Sequence, residues 1–130
     1  MPAKRQTVAL RFARFAPYAR NVESEWRSIP AYVVGDLAIH RPHYIQPGGE
    51  LSHLNNRWTV SHVPTGDTIE SAFPPRFKHL GAIIASKTDL VRWAEALQAE
   101  HPAFFEAARE GDKERQHALA RDVLDTGRAL

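Results

Sequence analysis

Arg57-Trp-Thr-Val-Ser-His-Val-Pro-Thr-Gly-Asp-Thr-Ile-Glu-Ser-Ala-Phe73 is the stretch whose reading decides the fold. Two β-favouring runs flank Pro64-Thr-Gly-Asp67, where proline presets φ for a turn and glycine can take the left-handed conformation that other residues avoid. The reading is a β-hairpin. With a three-residue loop Val63 would oppose Asp67 and the apolar side chains would divide between the two faces. With a four-residue loop Val63 opposes Thr68, and Trp58, Val60 and His62 lie opposite Phe73, Ser71 and Ile69. The second register is the one predicted, because it makes one apolar side and one side of Thr59, Ser61, Glu70 and Ala72.

Toward the N-terminus, Met1 to Gln6 reads as a frayed basic start. From Thr7 to Phe15, Val8, Leu10 and Phe12 alternate with Ala9, Arg11 and Ala13, the period of a strand with its arginines on the wet side, with a helix as the alternative and Pro17 ending either. Asn21 to Ile29 reads as a short helix. Asn21 would cap it, Glu23 and Glu25 would lie in the first turn, Pro30 would stop it, and Trp26 and Ile29 would share a face. Tyr32-Val33-Val34, a Gly35-Asp36 break and Leu37-Ala38-Ile39-His40 predict one bulged strand or two short ones. Gln46 to Asn56, rich in turn formers, reads as loop.

Toward the C-terminus, Arg76 to Ala85 fits helical spacing except at Gly81. Ser86, with Asp89 three residues on, marks a helix start, and Leu90, Trp93, Ala94 and Leu97 form a stripe at helical spacing. His101-Pro102 restarts the chain as a helix carrying Phe104, Phe105 and Ala108 inward. Gly111-Asp112 precedes a last helix over Asp112 to Thr126, with Leu119, Val123 and Leu124 inward and Gly127 closing it. Strands first and helices last predict an α+β fold: an antiparallel sheet from the N-terminal half, covered on one face by C-terminal helices. A single domain spans residues 1–130, with 1–85 mainly strands around a short helix and 86–130 helical.

The 130 residues suffice for a hydrophobic core. The chain has no cysteine, which excludes disulfides, thiol nucleophiles and thiolate metal sites. Apolar runs are too short to cross a bilayer, and the first twenty residues or so lack the apolar region of a secretory signal; a cytoplasmic protein is expected, with no membrane partner. Net charge is +2, yet Lys4, Arg5, Arg11, Arg14 and Arg20 all precede the first acid, Glu23. That asymmetry points to an acidic partner.

Seven histidines raise the question of a metal. His40-Arg-Pro-His43 is the tightest pair, with His53 and His62 as candidate additions, and together they define a metal-dependent hydrolase or nuclease as a third-ranked function. Pro42 excludes a zinc-protease helix, and alternation along a strand would send His40 and His43 to opposite sides. Ser61 and His62, adjacent in a strand, cannot pair as nucleophile and base; a partly buried imidazole at the sheet margin is expected. No catalytic residue, metal or cofactor is assigned, and a binding protein is expected in preference to an enzyme. Arg11, Arg14, Tyr18 and Arg20, interleaved with Phe12 and Phe15, are the candidate partner-binding residues, since guanidinium groups suit acidic patches and phosphates while rings stack on bases. Trp26, Trp58 and Trp93 are expected to be core anchors.

Glu25-Trp-Arg-Ser-Ile-Pro30, Leu37-Ala-Ile-His-Arg41 and Trp58-Thr-Val-Ser-His-Val-Pro-Thr-Gly66 resemble the Glu-Trp-Arg-x-Ile-Pro, Leu-Ala-x-His and Trp-Thr-Val-x-His-x-x-x-Gly elements of small accessory proteins encoded by phages and other bacterial mobile elements. The resemblance covers about Glu25 to Ala85, and the helical tail after Ser86 departs from it. It implies a monomeric or dimeric protein of the bacterial host cytosol. Such a protein would bind and inhibit a host protein or ribonucleoprotein complex, with an anti-CRISPR or similar anti-defence role. A nucleic-acid-binding accessory protein is the alternative.

Overall fold

The computed structural model describes residues 4–14, 24–55, 57–69 and 86–129. In chain order it contains β1 (Lys4–Ala13), β2 (Ser24–Val34), β3 (Leu37–His40), β4 (His43–Ile45), β5 (Leu51–His53), β6 (Thr59–His62), α1 (Lys87–Glu100), α2 (Pro102–Glu110) and α3 (Lys113–Ala129). Strands β1, β2, β3 and β6, in that order, make an antiparallel sheet, and β4 pairs with β5 in a smaller one. The fold is the α+β arrangement that the order of elements predicts.

In β1 the alternation holds: Val8, Leu10 and Phe12 are buried while Ala9, Arg11 and Ala13 are exposed. The strand also takes in Lys4 to Gln6, which read as frayed. The helix expected over Asn21 to Ile29 is not formed in its described part. Ser24 onward is strand, laddered to β1 from Ala13↔Ser24 to Lys4↔Val33. Trp26 and Ile29 therefore lie on opposite faces, Trp26 54% exposed and Ile29 buried. A long ladder with Ile29 and Ala31 buried beside Val8 and Leu10 outweighs the local capping signals. Pro30 is tolerated because the second ladder on β2 reaches only Tyr32.

Gly35 and Asp36 form a hairpin turn, with Val34 opposite Leu37 and Gly35 at φ 57°. Gln98 of α1 pins this turn, donating to Val34 O at 2.8 Å and accepting from Asp36 N at 2.9 Å. A Cβ at Gly35 would collide with Gln98 Oε1. Gly35→Ala is therefore expected to lower stability by about 1–2 kcal/mol or more, since it combines left-handed strain with displacement of the Gln98 anchor; urea unfolding checks this.

The sheet curls, so that the chain leaving β6 returns to β1, where Arg11 N donates to Gly66 O at 2.7 Å and Arg14 bridges Ile45. Two cores result. On one face Val34, Leu37, Ile39, Val60 and Ile69 pack against Leu90, Trp93, Leu97, Phe104, Phe105 and Val123 of the helices. On the other, Val8, Leu10, Phe12, Ile29, Ala31 and Ala38 close with Ile45 and Leu51 of the β4–β5 hairpin. Only its turn and β5 lie inside the stretch Gln46 to Asn56 that read as loop, and the hairpin covers the sheet face that the helices leave open.

The decisive hairpin keeps its turn but not its register. Gly66 (φ 76°) and Asp67 lie in the turn as expected, yet Thr68 bridges Ser61, not Val63, and His62 N donates to Asp67 O at 2.8 Å. The loop is tightened by Thr65 Oγ1, 3.0 Å from His62 Nδ1, and Ile69 is already helical. Phe73, its pairing with Trp58, and Arg76 to Ala85 lie outside the described residues.

The helices follow the periodicity. Ser86 Oγ accepts from Asp89 N at 3.1 Å; Leu90, Trp93, Ala94 and Leu97 are buried, as are Phe104, Phe105 and Ala108. Helix α2 ends on Gly111 at φ 74°. Helix α3 runs through Gly127, which does not close it. Val123 is buried with Leu119 and Leu124 partly so, and Gln116 and Ala120 are buried as well.

Candidate functional site

After His40 the chain turns away from β2 at Arg41-Pro42, which leaves β2 unpaired on that side below Tyr32. Into the opening come Arg5 from β1, Pro30 and Tyr32 from β2, Arg41 from the β3–β4 link, His43 from β4, His53 from β5 and Trp58 from the approach to β6. They line a cleft of about 210 Å³. The Tyr32 and Trp58 rings meet edge to face at 6.1 Å. The Arg41 guanidinium lies 3.9 Å over the Trp58 ring, and its Nη1 donates to Asn55 O at 2.9 Å and Arg57 O at 3.2 Å. Lys87 Nζ lies 4.0 Å over the Tyr32 ring. Cations over aromatic faces are held in place without neutralising carboxylates, and among the described residues no carboxylate lines the cleft. The arrangement presents positive charge and flat rings to an incoming ligand.

Beneath the cleft runs a row of rings. His43 and His53 are 5.2 Å apart, His40 and His43 6.0 Å, and Phe12 stands 5.5 Å from His43 and 6.1 Å from His40. The expectation that His40 and His43 diverge is overturned, since Pro42 breaks the strand between them and resets the alternation. His40 Nδ1 and His43 Nδ1 are each 2.6 Å from Arg41 O. A carbonyl only accepts, so both Nδ1 atoms carry the proton. His40 Nε2, 2.7 Å from Ser61 Oγ, then accepts from the hydroxyl.

Ser61, His40 and Arg41 O thus have the connectivity of a nucleophile, a base and its orienting group. Ser61 and His40 are each only 1% exposed and line no part of the cleft; the chain is a strut across β3 and β6, closed to substrate. Burial pushes the His40 pKa down to about 4, against the opposing bond to Arg41 O. His62, expected half-buried at the margin, is fully buried, and burial likewise takes it down to about 4, with Asp36 opposing. It stands in β6 opposite Leu37, on the helix-covered face, apart from the other three. No group of three or more metal-ligating side chains occurs among the described residues.

The arginines singled out from the sequence are engaged within the protein. Arg11 donates to Ser24 Oγ at 2.7 Å and stands 3.6 Å from Asp67. Arg14 pairs with Glu25 at 3.0 Å and donates to Pro47 O at 3.4 Å. Both still have exposed side chains, but they tie the far end of the β1–β2 ribbon to neighbouring loops. Tyr18 and Arg20 lie outside the described residues. Arg5, Arg41 and Trp58 were not read as one site. For Arg5 no period marked it, because Lys4 to Thr7 are polar and exposed at successive positions and the alternation begins at Val8. Of the three tryptophans Trp93 is a core anchor, Trp58 is half-buried at the cleft and Trp26 is exposed. No family model, curated protein or solved structure matches the chain, so the site rests on its own geometry.

Proposed function

We propose that this chain is a non-enzymatic binding protein for single-stranded nucleic acid, taking a base beside Tyr32 and Trp58 and a phosphate on Arg5 and Arg41. The supporting observation is the convergence of two large rings and two guanidinium groups in one cleft that no carboxylate lines among the described residues. Stacking surfaces beside backbone-tracking cations are what a single strand needs, and duplex DNA would not present its base faces. The buried Ser61–His40 pair adds no hydrolytic chemistry to this reading. An inhibitor of a host ribonucleoprotein, the expectation drawn from the resemblance, would use the same cleft against the RNA of its target.

Titration of a fluorescent single-stranded oligonucleotide against the protein tests this. Trp58→Ala is expected to weaken binding roughly 10- to 100-fold, the value of one base–aromatic stack. Arg5→Ala and Arg41→Ala are expected to flatten the dependence of affinity on salt by about 0.7 in log–log slope for each phosphate that is no longer neutralised. No binding by the wild type, or unchanged affinity in a folded Trp58→Ala protein, would remove the cleft from the binding surface.

A further inference from the structure

We propose that the cleft is a proton-linked phosphate site, in which His43, beside His53, passes from neutral to cationic as a phosphate ester binds, so that affinity rises as the pH falls. This rests on the nucleic-acid reading and adds its regulation.

The geometry assigns the titrating atom. Because His43 Nδ1 donates to Arg41 O, Nε2 is where a further proton must go, and Nε2 makes no hydrogen bond among the described residues. His53 stacks beside it at 5.2 Å with its side chain exposed.

The groups facing this pair come from every neighbouring element. They are Arg5 and Phe12 from β1, Tyr32 from β2, His40 and Arg41 at the end of β3, and Trp58 before β6, with Lys87 of α1 beyond Tyr32. Among the described residues the ionised ones are all cations. In the free protein partial burial holds the His43 imidazole below its usual range, against the opposing bond to Arg41 O and with the neighbouring His53 adding to the depression. A bound phosphate reverses the local sign and gives the His43 imidazolium a counter-ion. What favours protonation on binding must, by linkage, make protonation favour binding. His40 takes no part, since its Nε2 accepts from Ser61 and its pKa lies near 4.

The test uses the full chain and a labelled single-stranded DNA oligonucleotide at constant ionic strength. Affinity is expected to rise on the order of tenfold from about pH 8 to about pH 6, as up to about one proton is taken up over that interval. The double variant His43→Gln, His53→Gln should lose that slope, with circular dichroism confirming its fold. Calorimetry of the wild type in buffers of different ionisation enthalpy provides an independent measure that needs no variant, and net proton uptake on binding is expected. Binding that is salt-dependent but flat with pH and without proton uptake overturns this inference and leaves the nucleic-acid reading standing. A slope retained by the folded double variant also overturns it, and absence of binding at every pH overturns both.

Discussion

Lowering the pH from neutrality to about 4 is expected to remove several kcal/mol of stability, with most of the loss between the ordinary histidine pKa and the depressed values of His40 and His62. Both imidazoles are buried and neutral in the folded chain, at about 4 against 6.5 when unfolded. Above 6.5 neither state is protonated, and the stability these sites allow is fully present. Between 6.5 and about 4 the unfolded chain binds protons that the folded one refuses, so stability falls as pH falls and levels off below. A depression of that size is worth about 3 kcal/mol for each group, so the pair together approaches the whole stability of a typical domain. Urea midpoints measured at intervals through that range check the expectation. A midpoint unchanged down to about pH 4.5 would show that both imidazoles take up protons in the folded protein as readily as in the unfolded chain.

Replacing Phe104 by alanine is expected to cost about 3–5 kcal/mol. The side chain is 1% exposed, meets Phe105 edge to face at 5.5 Å, and lies in the core joining the helices to Leu37, Ile39 and Val60. Little can collapse into the space, because α2 is fixed at its start by Pro102 and at its end by the Gly111 turn. Trp58→Ala makes the contrast: the half-buried ring should cost about half as much in stability while taking most of the binding with it. Equal midpoints for Phe104→Ala and wild type in urea would mean that the helices do not share a core with the sheet.

The helical half was legible because its signals are local. The stripe Leu90, Trp93, Ala94 and Leu97, the Ser86 cap and the Gly111 stop all act within a turn or two of themselves. β1 was legible for the same reason at period two. β2 was not, because Asn21, Glu23, Glu25 and Pro30 are helix-boundary residues, while the partner that makes Ser24–Val34 a strand lies across the sheet. β4 and β5 are three residues each and too short to show a period. The hairpin register was decided by interactions no spacing reveals: Thr65 tightens the loop, and Gly66 sits so close to Trp26 that an added Cβ would lie 2.5 Å from the ring. The site was least legible, since Arg5, Tyr32, Arg41, His43, His53 and Trp58 reach one cleft from four strands and two connections. Histidine count and arginine clustering marked the right residue types. They did not mark the right set, because convergence belongs to the topology.

The anchoring of the Gly35-Asp36 turn bears on the order in which the protein acquires its shape. Gln98 grips the turn from α1, and Arg109 of α2 reaches Asp36 at 2.8 Å, sequence separations of 62, 64 and 73 residues. During synthesis the strands emerge first, yet one of their two apolar faces has no cover until the helices have left the ribosome. Closing such distant pairings is entropically slow. A nascent chain halted before α1 should expose Leu37, Ile39 and Val60, bind a hydrophobic dye, and be cut rapidly by protease. The finished chain should acquire protection in one late step, when the helices dock on the sheet.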